Sequence, residues 1–138
     1  MDVAKKHNVI LCDDVRNEVG NKLSFMGVYG PELWVGKVPA MMPHLCFVVM
    51  LDQISQSFTS AKAKVSMPGS EPVVLPIQAA PGPPQGSHHT IIVALAPAKI
   101  PQEGRAKFEL FFFDEEHPQI VHEFFIRERK PAQPVVMH

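Results

Sequence analysis

The chain has 138 residues, of which 46% are hydrophobic and 20% charged, and its formal net charge at pH 7 is −1. This size and composition are typical of a folded domain and exclude a disordered chain. The longest apolar run, residues 45–51, is far shorter than a membrane span, and no basic cluster suits a polyanion. We therefore expect one cytoplasmic domain over residues 1–138, with 131–138 as a loose tail, binding neither membranes nor nucleic acid.

Alternating apolar and polar residues predict β-strands along the whole chain, because side chains of a strand point to opposite faces in turn. No stretch shows a sustained helical period, and fourteen prolines divide the chain into short pieces. The predicted strands span 9–16, 23–29, 45–51, 58–67, 73–77 and 90–95, followed by a hairpin over 104–128 with its turn at 114–118.

Several residues predict where these strands lie. The run 45–51 is apolar on both faces, which is typical of a central strand. Pro76 indicates an edge strand, because proline cannot donate to the ladder. Gly27 interrupts its strand and indicates a bulge or a close backbone approach. Residues 32–43 are expected to form a connection anchored by Trp34.

The whole pattern predicts an all-β fold. About eight one-sided strands must bury their apolar faces against a second layer, so we expect a two-sheet β-sandwich, immunoglobulin-like or C2-like. A closed barrel is the alternative.

Two segments near the start carry a resemblance. The sequence LCDDVRNE at 11–18, followed by NKLSFMGVY at 21–29, resembles the opening of an uncharacterised bacterial and phage family, a domain of unknown function. IPQEG at 100–104 and HEFFI at 122–126 are also similar. The resemblance spans most of the chain and implies a small all-β sandwich. It implies no reaction, ligand or partner.

Charged residues near the start form the densest polar cluster, made of Asp13, Asp14, Arg16 and Glu18. In an extended strand Asp14 and Arg16 share one face and Asp13 lies on the other. This indicates charge pairs between strands and carboxylates that close onto backbone amides. The alternative is a small-ligand or metal site formed with the histidines, although a hard cation would need more oxygen ligands.

No motif for catalysis or for a cofactor is present. The chain lacks a Gly-x-Ser-x-Gly elbow, a zinc-ligand spacing and a glycine-rich phosphate loop. Cys12 and Cys46 lie in apolar runs and are expected to be buried thiols, with a disulfide between strands as the alternative. His122 is expected at the core or its rim. We predict a protein that is not an enzyme and needs no cofactor.

The final hairpin places more aromatic residues on its outer face than is usual for a sheet face that contacts water. We expect Phe108 to pair with Phe124, and Phe112 with residues 119–120. The core face then carries Phe108, Leu110, Phe112, Ile120, Phe124 and Ile126, and the opposite face carries Phe111, Phe113, Val121 and Phe125.

An apolar outer face needs a cover. The cover is either a loop, around Trp34 or over 81–86, or another protein, most simply a second copy of the chain. We therefore predict a non-enzymatic protein-interaction or structural module whose candidate interface is Phe111, Phe113, Val121 and Phe125.

Overall fold

The computed structural model describes residues 1–129, which form strands and loops without a helix. The strands are β1 Ala4–Glu18, β2 Lys22–Tyr29, β3 Glu32–Val35, β4 Ala40–Met42, β5 Leu45–Ile54, β6 Ser60–Ser66, β7 Val73–Gln78, β8 His89–Leu95, β9 Ala98–Ile100, β10 Gly104–Phe112 and β11 Ile120–Glu128. The all-β prediction is confirmed. The loose tail predicted for 131–138 lies outside the described residues.

Residues 1–129 form three sheets. One has four strands in the order β2-β1-β5-β8, one has five in the order β3-β11-β10-β6-β7, and β4 pairs with β9 alone. Over residues 1–129 none of these sheets closes into a barrel, so the barrel alternative is wrong. The central position of β5 and the edge position of β7 are as predicted, since β5 is apolar on both faces and Pro76 interrupts β7.

The main core lies between the inward faces of the two larger sheets. The ring of Phe47 in β5 stacks on the ring of Phe108 in β10, with centroids 4.6 Å apart, and lies 5.9 Å from the ring of Phe124 in β11. The predicted core face of the final hairpin is buried throughout: Phe108, Leu110, Phe112, Ile120, Phe124 and Ile126.

The pairing of β10 with β11 differs from the prediction by two residues. Phe108 pairs with His122 and Leu110 with Ile120, so the predicted pairing of Phe108 with Phe124 is wrong. The connection is longer than expected because the backbone leaves the strand at Phe113 and Asp114, which have φ of 57° and 54°. A shift of two residues keeps every side chain on its predicted face, because the strand period is two.

The connection predicted over residues 32–43 contains two short strands, β3 and β4. Trp34 is not its buried anchor: the side chain is 50% exposed, while Leu33 and Val35 are buried. The reason is alternation along β3, which runs parallel to β11 with Leu33 opposite Ile126. The inward positions of β3 hold Leu33 and Val35, so Trp34 faces outward.

The hairpin of β1 and β2 covers part of the outer face of the four-stranded sheet. Val15 and Phe25 pack on a second apolar cluster made of Cys12, Cys46 and Val48. The strand predicted over 9–16 is present, and β1 extends beyond it at both ends. Gly27 is a close backbone approach, as predicted, because its φ is 65° and the carboxyl group of Asp13 occupies the space of a Cβ.

Candidate functional site

The four polar candidates near the start do not converge on one point. The Tyr29 hydroxyl donates to Asp13 Oδ1, whereas Asp14 Oδ1 accepts a hydrogen bond of 2.9 Å from the Val15 amide. Asp14 Oδ2 lies 3.8 Å from Arg16 Nε. Further along the hairpin, Glu18 Oε1 accepts a hydrogen bond of 3.0 Å from the Ser24 hydroxyl. These contacts tie the β1–β2 hairpin together and give each carboxylate a different partner.

Asp13 and Tyr29 form a part-buried polar contact between β1 and β2. Burial raises the pKa of Tyr29, and the hydrogen bond to Asp13 raises it further. The hydroxyl therefore stays protonated and remains a donor to the carboxylate. This contact joins β1 to β2 next to Gly27, whose φ is positive.

Cys12 and Cys46 are free and buried, and they are direct partners between β1 and β5. Cys12 Sγ lies 3.5 Å from the Asp14 carbonyl oxygen and Cys46 Sγ lies 3.9 Å from that of Asp13. Burial raises the pKa of both thiols. A buried protonated thiol is a poor nucleophile.

The histidines follow the same pattern of separate structural contacts. His122 faces inward on β11, where its ring lies 6.2 Å from that of Phe124, and burial lowers its pKa. Within residues 1–129, no group of three or more His, Cys, Asp and Glu side chains is placed to hold a metal ion.

The outer face of the five-stranded sheet combines aromatic and charged side chains, and we call it the mixed face. Its apolar members are Trp34, Val74, Phe111, Val121 and Phe125. Its charged members are five bases, Lys62, Lys64, Arg105, Lys107 and Arg127, and three acids, Glu32, Glu109 and Glu123. Because five side chains are basic and three are acidic, this face has a surplus of two positive charges.

Cationic side chains lie over the rings of the two outward phenylalanines, Phe111 and Phe125. Lys62 Nζ lies 4.8 Å from the ring centroid of Phe111. The guanidinium carbons of Arg105 and Arg127 each lie 5.3 Å from the centroid of Phe125. Alternation explains this, because Arg105 is the partner of Phe125 across the strands and Arg127 follows it on the same face.

The four predicted interface residues differ in their exposure. Val121 is 49% exposed and Phe125 is half-buried, whereas Phe111 is only 8% exposed beneath Lys62. Phe113 lies beyond the end of β10 and packs partly against the main core. The structure therefore brings Val121 and Phe125 to the mixed face as accessible groups and leaves Phe111 and Phe113 mainly as packing residues.

Trp34 completes the accessible part of the mixed face, where the sequence had suggested it only as part of a covering loop. It lies opposite Arg127 in the pairing of β3 with β11, on the same face as Phe125, which pairs with Glu32. Alternation of Leu33, Trp34 and Val35 was the available signal, but a four-residue strand in a proline-bounded connection is easily missed. Trp34, Phe125, Arg105 and Arg127 are here called the aromatic–arginine cluster.

Ion pairs join six of the eight charged members of the mixed face. Arg105 Nη1 lies 3.9 Å from Glu123 Oε2. Lys107 Nζ lies 3.7 Å from Glu109 Oε1, and Arg127 Nε lies 3.4 Å from Glu32 Oε1. All three pairs are within the sheet. Across the part of the chain that the structure describes, Lys62 and Lys64 have no acidic side chain within ion-pair distance, so the surplus positive charge lies on β6.

Comparison with known proteins gives one positive result. No curated protein and no solved structure matches the sequence. In residues 1–129 no helix is long and apolar enough to cross a membrane. The model of a family of unknown function, DUF6941, matches residues 7–121. That range is most of the chain and includes all strands from β2 to β10, so the protein belongs to this family of unknown function.

Proposed function

We propose that this chain is a non-enzymatic protein-interaction module that docks a partner protein on the mixed face. The observation that carries the proposal is the aromatic–arginine cluster, in which a half-exposed Trp34 lies opposite Arg127 and on the same face as Phe125. Tryptophan, other aromatic residues and arginine are the types most enriched at the energetic centres of protein interfaces. Ion pairs with Glu123 and Glu32 also orient Arg105 and Arg127 before binding, which reduces the entropy lost on association.

The charges of the mixed face favour a particular kind of partner. The surplus of two positive charges, centred on Lys62 and Lys64, suits a surface that carries carboxylates among apolar side chains. A second copy docked on the same face would bring the two surpluses together. We therefore favour a different protein over self-association for this face.

A photo-crosslinking amino acid placed at Val121 tests the proposal in cells that express the chain natively. We expect a discrete adduct with one protein. The same amino acid at Met41, which is 62% exposed on β4, is the positional control and should not give this adduct. The partner's docking segment should contain acidic residues.

Variants of the cluster decide whether the adduct reports specific docking. Trp34→Ala combined with Phe125→Ser should remove it, and each change should weaken binding by about 2 kcal/mol, roughly 30-fold. Arg127→Glu should weaken binding most strongly at low salt, because exposed charges are screened at high salt. An adduct of equal yield in all variants would contradict the proposal. Phe111 is left unchanged because it is buried.

The wider setting of this module is also part of the proposal. The two larger sheets are taken as the layers of a β-sandwich, which the stacking of Phe47 on Phe108 supports. A cytoplasmic location is supported by two free thiols that are direct cross-strand partners. The resemblance of residues 11–29 to bacterial and phage sequences supports a bacterial or phage origin.

A further inference from the structure

The two larger sheets have four edge strands, and three of these carry features that oppose pairing with another chain. In β7, Pro76 has no amide hydrogen to donate. In β2, Gly27 has a left-handed φ of 65° that interrupts the strand. The third, β3, has only four residues. Short strands, prolines and irregular backbone are the usual protection of sheet edges.

The fourth edge, β8, lacks such protection. Its sequence from His89 to Leu95 is HTIIVAL, with no proline, no glycine and no acidic or basic residue except His89. Burial lowers the pKa of His89, so this residue also favours the neutral form. A regular, uncharged strand of seven residues is a template for another strand.

The free side of β8 is open. Its backbone pairs with β5 from Leu45 to Leu51, and among residues 1–129 it makes no backbone hydrogen bond to any other segment. A cleft of about 410 Å³ separates residues 89–92 from residues 77–81 on the neighbouring layer. The adjacent edge β7 therefore does not complete the ladder of β8.

An apolar surface reaches this open edge. On the outer face of the four-stranded sheet, Ile10, Val48 and Ile92 lie side by side on β1, β5 and β8. The β1–β2 hairpin covers the middle of this surface, and Val48 is fully buried. Ile92 is not covered and remains 44% exposed at the edge. An added strand would bury Ile92 and satisfy the free amides at the same time.

We propose that β8 pairs with β8 of a second copy of this chain, antiparallel and across a two-fold axis at Ile92. The two four-stranded sheets would then form one continuous sheet of eight strands. Ile92 is the middle residue of β8, so this register uses the full strand. It places Ile92 opposite Ile92 of the other copy, Thr90 opposite Ala94, and Ile91 opposite Val93.

The chemistry of the edge favours a second copy as the occupant. An antiparallel pair of identical strands is self-complementary, and in this pair no two charged side chains of the same sign lie opposite each other. The mixed face differs because its positive surplus would oppose itself. The two surfaces lie on different sheets, so the dimer leaves the mixed face free for the partner proposed above.

The mass of the full chain in solution, measured by light scattering over a dilution series, tests this inference. The wild-type protein should have twice its chain mass of 15.3 kDa at high concentration. Ile92→Lys should raise the dissociation constant by at least about tenfold, because it places like charges opposite each other at the axis. An equimolar mixture of Ile92→Lys and Ile92→Glu chains should regain the dimer mass.

Val28→Lys is the matched control, since Val28 is 60% exposed on β2, the opposite edge of the same sheet. It should leave the dimer intact. Hydrogen exchange of the wild-type protein gives a measurement that needs no variant: amides of β8 should gain protection as the concentration rises. A monomer at every concentration, an unchanged mass for Ile92→Lys, or exchange of β8 that is independent of concentration would overturn the inference.

Discussion

Phe47 of β5 and Phe108 of β10 stack face to face between the two larger sheets, with an interplanar angle of 10° and both side chains fully buried. The pair joins residues far apart in the sequence, and both belong to the main core. Offset stacked rings add to the free energy that burial itself provides. This contact therefore joins the two larger sheets directly.

Phe108→Ala is expected to lower the free energy of unfolding by about 3–5 kcal/mol, because it removes buried surface and leaves a cavity against Phe47. Chemical denaturation measures the loss. Val121→Ala, at a 49% exposed position on the neighbouring strand, is the control and should change stability by no more than about 0.5 kcal/mol. A loss below about 1 kcal/mol for Phe108→Ala would contradict the packing described here.

Gly27→Ala is expected to destabilise the β1–β2 hairpin by about 1–3 kcal/mol, since φ there is 65° and the added Cβ would lie 2.9 Å from Asp13 Cγ. Gly30→Ala is the control, because a Cβ at that position meets no atom within 4 Å. In an Asp13→Ala background the cost of Gly27→Ala should shrink but persist, because the backbone strain remains. Equal effects at both glycines in thermal unfolding would contradict the close approach.

Tyr29 is the only tyrosine of the chain, so the absorbance of its phenolate in an alkaline titration reports one group. Burial and the hydrogen bond to Asp13 raise its pKa, so it should ionise above the ordinary value of about 10. Asp13→Asn should lower this pKa by removing the negative charge beside the hydroxyl. Ionisation at the ordinary value in the folded protein would show that the contact is not formed.

The same shift predicts a dependence of stability on pH. The folded pKa of Tyr29 lies above the unfolded one, so its contribution is complete below about pH 10 and is lost as the pH rises through the folded value. Unfolding midpoints should therefore fall in the alkaline range, and less so in Tyr29→Phe. This variant also loses the hydrogen bond, at a cost of about 0.5–1.5 kcal/mol at neutral pH.

The final hairpin shows which features of this protein are local. Alternation placed Phe108, Leu110 and Ile120 on the core face correctly, even though the predicted register was wrong by two residues. Side-chain direction depends on position along one strand, whereas register depends on the turn and on the partner strand. Positive φ values at Phe113 and Asp114 make the turn longer than predicted. The three phenylalanines at 111–113 did not indicate this, because such a run is typical of a continuing strand.

The mixed face shows what depends on neighbours in space. The sequence indicated that Phe111 and Phe125 point outward, but Lys62 covers the first and two arginines flank the second. Lys62 lies on β6, far from Phe111 in the chain, so only the pairing of β6 with β10 brings them together. Trp34 joins the face for the same reason, through the parallel pairing of β3 with β11.

The sequence by itself therefore determined the all-β class, most strand positions and the inward face of each long strand, because these follow from a period of two residues and from proline and glycine. The tertiary structure decided the strand order, the hairpin register, the cover over the outward phenylalanines and the open edge at β8. These features arise from hydrogen bonds and contacts between segments that are distant in the sequence. Their free energies cannot be inferred from the local sequence pattern.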